Sequence, residues 1–534
     1  MDRGVAVPMR DGVSLIADVY RPPDGDAVPA IVLRTCYDRR FPLTPAAAID
    51  PERAVAAGFA LVVQDVRGVH DSAGAFDPFV NEAADGHDTI AWVAAQPWCT
   101  GAVGMAGRSY VGATQWLAAA EQPPALRAIA PVVTGSDYFH GWVYQGGAFQ
   151  LGFNLFWVHM MGGRKRKDSL TLQFEHLPLK EPPLIDESEA GKFYLEWLRH
   201  STDDEYWKGL SINRRYDRID VPALNVGGWY DVFLGGTLEN YRGAGSRLIV
   251  GPWAHGSAYG PYPDQHFADF GGRDKALDLV EEQLRFFAAH LDGGTDAGPK
   301  VRLFVMGANV WRDEEDWPLA RAVDTPWYLR AGGVLSPVAP AAEAHDEYTF
   351  DPADPAPTRG GPTSLPGRFL QTNSGPQDQR ELEKREDVLI YTSDVLSEDY
   401  EVTGPLTAVL WARTTAADTD FVVKLCDVAP EGASRILAEG VIRTRFRDGY
   451  DQEKLIEPGA VLDYRVDLVA TSNTFLAGHR IRVIVTSSSF PRFDRNPNTG
   501  RPLGVDGPED LVTARQTIFH DTARPSHIVL PVVP

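Results

Sequence analysis

The feature that most constrains how this chain can fold is a change of hydrophobic period along its length. From Val5 to about Gly135, short apolar runs alternate with helical patterns, the arrangement of βαβ units around a largely parallel sheet. Ser14 to Tyr20 alternates as a strand, Ala30 to Arg34 and Ala60 to Gln64 are short apolar runs, and Gly104 to Ala106 leads into a helix. Ala46 to Ala57 and Glu82 to Ala95 read as helices. After about Trp317 the helical period gives way to alternating runs, LTAVLWART, FVVKLCDV, DYRVDLVAT and RIRVIVTSSS, separated by Gly, Pro and Asp. These predict an antiparallel β-sandwich, with the Pro- and Gly-rich stretch from Asp351 to Gly367 as a long loop within it. At 534 residues the chain exceeds what one core supports, because cores stop growing at roughly 250–300 residues.

Between the two patterns, from about Asp137 to Ile212, aromatic residues bunch in FHGWVYQGGAFQLGFNLFWVHMM, and a charged helical stretch follows through Phe193, Tyr194, Leu195, Glu196 and Trp197. Strand patterns then resume at VPALNVGGWYD and SRLIVGPWAHG. The expected organisation is therefore a discontinuous α/β domain (1–136 and 213–318), a helical cap inserted over it (137–212) and a β-sandwich (319–534).

A formal charge of −22 repels phosphate backbones, so nucleic acid is an unfavourable partner. The basic run Arg164-Lys165-Arg166-Lys167 reads as a solvated loop. Three cysteines, Cys36, Cys99 and Cys426, neither make a disulfide framework nor show metal-ligand spacing. The N-terminus lacks the apolar core of a signal peptide, and no stretch reaches the ~20 apolar residues of a membrane helix. A cytoplasmic location is the expectation, with unusual export routes left open.

The strongest local motif is Gly104-Met105-Ala106-Gly107-Arg108-Ser109-Tyr110-Val111-Gly112: a strand, a tight turn on a serine, then the helix YVGATQWLAAA. Such a turn projects the serine hydroxyl above a sheet, and small residues let the helix pack close. The second glycine falls one position later than in G-x-S-x-G, and a helix-capping serine is the bland alternative. A nucleophilic serine needs a histidine to take its proton and a carboxylate to orient that histidine. Asp231 follows VPALNVGGWY and His255 follows LIVGPWA, both just after expected strands, and the order Ser109, Asp231, His255 is that of α/β-hydrolases. The Tyr110 N–H is the expected first donor to an oxyanion, and the loop Arg34-Thr35-Cys36-Tyr37-Asp38 stands where a second would arise.

Together with these motifs, PMRDGVSLIADVYRP, TCYDRR, VVQDVRG, GGWYDVF, VGPWAHG, KVRLFVMGANVWRDEEDWPL, TDFVVKLCDV, ATSNTFLAGHRIRV and SSSFPRFDRNPNTG resemble the family of bacterial cocaine esterase and its relatives, the CocE/NonD-type hydrolases within the X-Pro dipeptidyl-peptidase and α-amino acid ester hydrolase superfamily. The resemblance covers most of the chain outside about 160–205. It implies an α/β-hydrolase domain, a helical cap and a C-terminal jelly-roll β-sandwich. It also implies Ser109 as nucleophile, Asp231 and His255 as its partners, and the Tyr37 hydroxyl and Tyr110 N–H as oxyanion donors. Trp142, Trp157 and Phe233 match aromatic acyl-pocket positions, with Leu410 and Trp411 reaching in from the sandwich. Related enzymes bind a substrate ammonium through carboxylates placed just after the catalytic aspartate, where this chain has Val232, Phe233 and Leu234. The expected function is thus a serine carboxylic ester hydrolase acting on small-molecule esters with aryl or bulky acyl groups, needing no metal or organic cofactor. An amide-cleaving acylase or X-prolyl peptidase is the enzymatic alternative, and a non-catalytic carbohydrate- or partner-binding protein the alternative of another class. The cap is shorter than in the family, which leaves the leaving group undefined and a homodimer through cap helices an open expectation.

Overall fold

The computed structural model describes the chain except for residues 24, 42–48, 163–173, 182–188 and 256–276, and 366–373. The basic run at 164–167 and the first part of the helix expected from Ala46 lie outside the described residues.

The strands of the first sheet are β1 Asp2–Pro8, β2 Ser14–Tyr20, β3 Val28–Thr35, β4 Ala60–Asp65, β5 Cys99–Arg108 and β6 Leu126–Val132. A two-residue hairpin, β7 Tyr144–Gln145 and β8 Ala148–Phe149, interrupts the series before it continues with β9 Leu224–Tyr230, β10 Arg247–Ala254, β11 Val301–Val305 and β12 Val310–Glu314. The ten sheet strands run in the order β1-β2-β4-β3-β5-β6-β9-β10-β11-β12. Pairing is parallel from β4 through β11 and antiparallel at both margins, where β1, β2 and β12 attach. The central strands are buried along nearly their whole length, as apolar runs covered by helices on both faces must be.

Helix α1, Pro51–Ala56, begins later than its apolar pattern suggests, because Asp50 accepts hydrogen bonds from the N–H groups of Glu52 and Arg53 and Pro51 occupies the first helical position. Helix α2 is Glu82–Ala94 and α3 is Tyr110–Ala119, every residue of which is buried. Above the sheet lie α4 Leu151–Met161, α5 Glu189–Arg199 and α6 Glu205–Leu210. Helices α7 Leu234–Ala244 and α8 Leu279–Leu291 return to the sheet.

From Val323 onwards the described residues form twelve β-strands, nearly all paired antiparallel. The longest, Tyr400–Thr414, pairs with Leu462–Phe475 on one side and with His527–Val533 and Ala514–Asp521 on the other. This is the β-sandwich of the expected α/β-hydrolase, cap and jelly-roll plan. The sandwich and the sheet share a core: Trp229 and Leu234 belong to the same apolar cluster as Leu410, Tyr464 and Leu468. Main-chain bonds cross the seam, from Met306 N to Ser472 O at 3.0 Å and from Thr474 N to Met306 O at 2.8 Å.

Candidate active site

Strand β5 ends at Arg108 and α3 begins at Tyr110, so one residue, Ser109, turns the chain from strand to helix. It does so at φ 57°, ψ −126°, in a region that costs an L-residue about 1–3 kcal/mol. Gly107, at φ 137°, makes room for the turn, since a Cβ there would lie 2.1 Å from Val111 Cγ1. Gly112 lets α3 lie against the chain beyond β6, where a Cβ would stand 2.7 Å from Thr134 Cβ. The shifted second glycine thus serves helix packing. Ser109 makes no side-chain bond to the helix it precedes, which sets aside the capping alternative.

Ser109 Oγ lies 3.0 Å from His255 Nε2, and His255 Nδ1 lies 2.7 Å from Asp231 Oδ2. The three residues follow β5, β9 and β10, so the fold gathers them at the carboxyl edge of the sheet. A carboxylate only accepts hydrogen bonds; Nδ1 therefore carries its proton toward Asp231, and Nε2 accepts from the serine hydroxyl. Asp231 is buried, and its second oxygen accepts from the Phe233 N–H at 2.7 Å. The main chain of His255 is held as well, because Arg108 Nη2 donates to its carbonyl oxygen.

The Tyr110 N–H, next to Ser109, has no hydrogen-bond acceptor among the described residues. The Tyr110 side chain is fixed below: its hydroxyl donates to Glu82 Oε1 at 2.8 Å and accepts from the Phe79 N–H at 3.1 Å, while Arg34 Nη1 holds Glu82 Oε2 at 2.7 Å. Burial pushes both the Tyr110 hydroxyl and the Glu82 carboxyl above their ordinary pKa values. The Tyr37 hydroxyl accepts from Trp157 Nε1 at 3.1 Å. Burial likewise raises the Tyr37 pKa, so it is a protonated phenol at neutral pH.

An aromatic wall adjoins these groups. Trp142 stacks on Phe233 with centroids 4.3 Å apart, and Phe233 lies edge-on to His255 at 5.1 Å. Phe153 packs edge-on against Phe233 at 5.2 Å and reaches within 6.1 Å of His255. Trp157 stacks on Tyr110 at 5.6 Å and on Trp197 at 5.8 Å.

Leu410 and Trp411 do not join this wall. Along Tyr400–Thr414 the inward residues are Leu406, Ala408, Leu410 and Ala412, so strand alternation sends Leu410 into the sandwich core and Trp411 to its outer face. Leu410 belongs to a different apolar cluster from Trp142, Trp157 and Phe233. Conversely, Arg108, Phe153, Glu82 and Trp197 bear on the site without having been singled out as site residues. Phe153 stands in the aromatic-rich segment, and Phe193 with Trp197 has the i, i+4 spacing of one helix face, but neither signal names its contacts.

Such a sheet with a strained serine turn defines a class, the serine hydrolases of the α/β fold. Comparison with known proteins agrees. Residues 11–257 match the family model described as X-Pro dipeptidyl-peptidase (S15 family), and residues 293–529 match its C-terminal non-catalytic domain. The chain is 39% identical to the cocaine esterase of Rhodococcus sp. (strain MB1 Bresler), over 99% of this chain and 98% of that one. Among solved structures, an aminopeptidase from a marine sediment Thaumarchaeota archaeon superposes with a TM-score of 0.86 at 27% identity, covering 100% of this chain and 96% of the other. A selenomethionine-labelled α-amino acid ester hydrolase superposes with a TM-score of 0.84, again at 27% identity and with 100% and 96% coverage. This chain belongs to that S15-type family of cocaine esterase relatives and is a serine hydrolase. No described helix is long and apolar enough to cross a membrane.

Proposed function

We propose that the protein hydrolyses small carboxylic esters through an acyl-enzyme, with Ser109 as nucleophile. Ser109 Oγ attacks the ester carbonyl as its proton passes to His255 Nε2, and Asp231 keeps the imidazole in the tautomer that can take it. The resulting oxyanion is held by the Tyr110 N–H and the Tyr37 hydroxyl. Collapse expels the alcohol with the proton from Nε2, and a water activated by the same nitrogen releases the acid. The observation that carries this reading is the unbroken chain from Ser109 Oγ to His255 (3.0 Å) to Asp231 (2.7 Å) beside a serine that caps nothing.

Trp142, Phe233 and Trp157, joined by Phe153, form the acyl-side wall in this reading, and their apolar faces favour an aryl or bulky acyl group. Val232, Phe233 and Leu234, all buried, give no carboxylate to an ammonium there, which disfavours α-amino acyl esters and N-terminal dipeptides. Because the family model is named for an X-prolyl peptidase, amide cleavage is the second reading. Presenting one benzoyl group as ester and as anilide separates the two. Ser109→Ala is expected to lower turnover of an aryl ester about 1,000-fold or more with unchanged thermal unfolding; a folded variant of near-parental turnover refutes the reading. That Cys36, Cys99 and Cys426 are all buried and unpaired supports work in a reducing compartment such as the cytoplasm.

A further inference from the structure

We infer that Phe153 sets the upper size limit of the acyl group: it is the ring that an acyl chain on Ser109 meets, and it is fixed in place between Phe233, Trp142 and the catalytic imidazole. The inference rests on the reading of Ser109 as an ester-cleaving nucleophile with the aromatic wall on its acyl side, and it names the member of that wall that decides acyl size.

Three rings of the wall are sealed. Trp142, Phe233 and Trp157 keep 0, 1 and 2% of their surface exposed, whereas Phe153 keeps 6%, close to the 7% of Ser109 itself. A ring without accessible surface shapes a pocket only through the ring in front of it, because dispersion and exclusion act over contact distance. Phe153 occupies that front position. It stands edge-on to Phe233 at 86° with centroids 5.2 Å apart, to Trp142 at 68° and 6.1 Å, and to His255 at 74° and 6.1 Å. Since His255 Nε2 is 3.0 Å from Ser109 Oγ, a ring that flanks this imidazole also flanks what the serine carries.

The ring limits size instead of yielding to it because its backbone is pinned on both sides. Phe153 lies in the first turn of α4. Before it, the Gly152 N–H donates to Pro491 O at 2.8 Å, and a Cβ on Gly152 would stand 2.1 Å from Leu365 Cδ2, so the sandwich presses directly on the helix start. After it, Asn154 Nδ2 donates to Val143 O at 3.2 Å, and Gln150 Nε2 donates to the carbonyl oxygens of Gly141 and Trp142 at 3.1 and 3.0 Å. The start of α4 and the segment carrying Trp142 are thereby tied together, and α4 cannot retreat from Trp142 without breaking these bonds. One turn along the same face, Trp157 is stacked on Tyr110 and Trp197, which anchors the helix a second time.

The test compares two ester series. In the first, 4-nitrophenol is the leaving group and the acyl group grows from acetyl to benzoyl to 2-naphthoyl; in the second, the acyl group stays acetyl and the alcohol grows from phenol to 2-naphthol. Phe153→Ala is expected to raise the 2-naphthoyl-to-acetyl ratio of kcat/KM about 10-fold or more, and Phe153→Leu about 3-fold, with the ratio in the alcohol series moving by less than about 2-fold. A gain that follows side-chain size cannot come from damage to the fold, which lowers every substrate alike. An unchanged or lowered acyl ratio, or an equal rise in the alcohol series, overturns the inference. Should Phe153→Ala fail to fold, Phe153→Leu must still raise the acyl ratio. Ser109→Ala run in parallel keeps the two readings apart: if it is inactive toward every ester while the Phe153 variants leave the acyl ratio unchanged, only the role of Phe153 falls; if it is active, the nucleophile assignment falls and takes the role of Phe153 with it.

Discussion

Ser109 lies where an L-residue is strained, and its neighbours decide whether that conformation survives. Gly107 is the more demanding of them, because it combines φ 137° with a Cβ position 2.1 Å from Val111. Gly107→Ala is therefore expected to force β5 and α3 apart, costing several kcal/mol and moving Ser109 away from His255. Esterase turnover should fall by more than the loss of folded protein accounts for, and comparing active-site titration with a fluorophosphonate against circular dichroism measures the difference. The pairing of Arg108 with the His255 carbonyl shows the same economy at residue scale, since the residue before the serine holds the residue that serves it. At this scale the sequence was informative about Ser109 and silent about Arg108, whose partner is 147 positions away.

At the scale of elements, the decisive contact is between the β7–β8 hairpin and the sandwich. Gly146 and Gly147, at φ 54° and 80°, bring the hairpin so close that a Cβ on Gly146 would stand 1.8 Å from Val441 O, and one on Gly147 would stand 2.1 Å from the Phe446 ring. Arg443 N–H donates to Gly146 O at 2.8 Å, and Phe149 exchanges bonds with Asp494 at 2.8 and 2.9 Å. The helix that follows, α4, carries Phe153 and Trp157, so the sandwich fixes the wall of the site without lending it a side chain such as Leu410. Gly146→Ala is expected to lower stability by about 3 kcal/mol or more, seen as a drop in Tm. It should also raise KM for a benzoyl ester more than for an acetyl ester, because the wall and not the serine turn is displaced. Equal KM changes for both esters would contradict that role of the hairpin.

For the molecule as a whole, the seam between cap and sandwich contains charge removed from water. Glu439 is fully buried with Lys424 at 2.6 Å and with Arg492, which in turn donates to Gln145 of the hairpin at 2.9 Å. Burial alone would raise the Glu439 pKa, but the charges of Lys424 and Arg492 outweigh it and bring the group down to about 2 from 4.5. A depressed carboxyl pKa stabilises the fold above 4.5 and loses that contribution as pH falls toward 2. Glu439→Gln strands two buried cations and is expected to cost about 3–5 kcal/mol at neutral pH. Its Tm should then decline less steeply than the parent's as pH falls from 4.5 to 2, in calorimetry at matched ionic strength. Parallel Tm curves over that window would show that Glu439 is not the coupled group.

What the sequence determined by itself is local: β2 over Ser14–Tyr20, the serine turn and the alternation of the sandwich strands follow from period, turn residues and neighbours a few positions apart. The resemblance extended this to named residues, and the structure brings Ser109, Asp231, His255, Tyr37, Tyr110, Trp142, Trp157 and Phe233 together while leaving Leu410 and Trp411 in the sandwich. Only the tertiary structure decided which hydroxyl faces which nitrogen, since Ser109 and His255 are 146 positions apart and Tyr37 and Trp157 are 120 apart. Backbone propensity reaches a turn or two along the chain, whereas contacts at such separations are set by how the sheet, the cap and the sandwich close on shared cores.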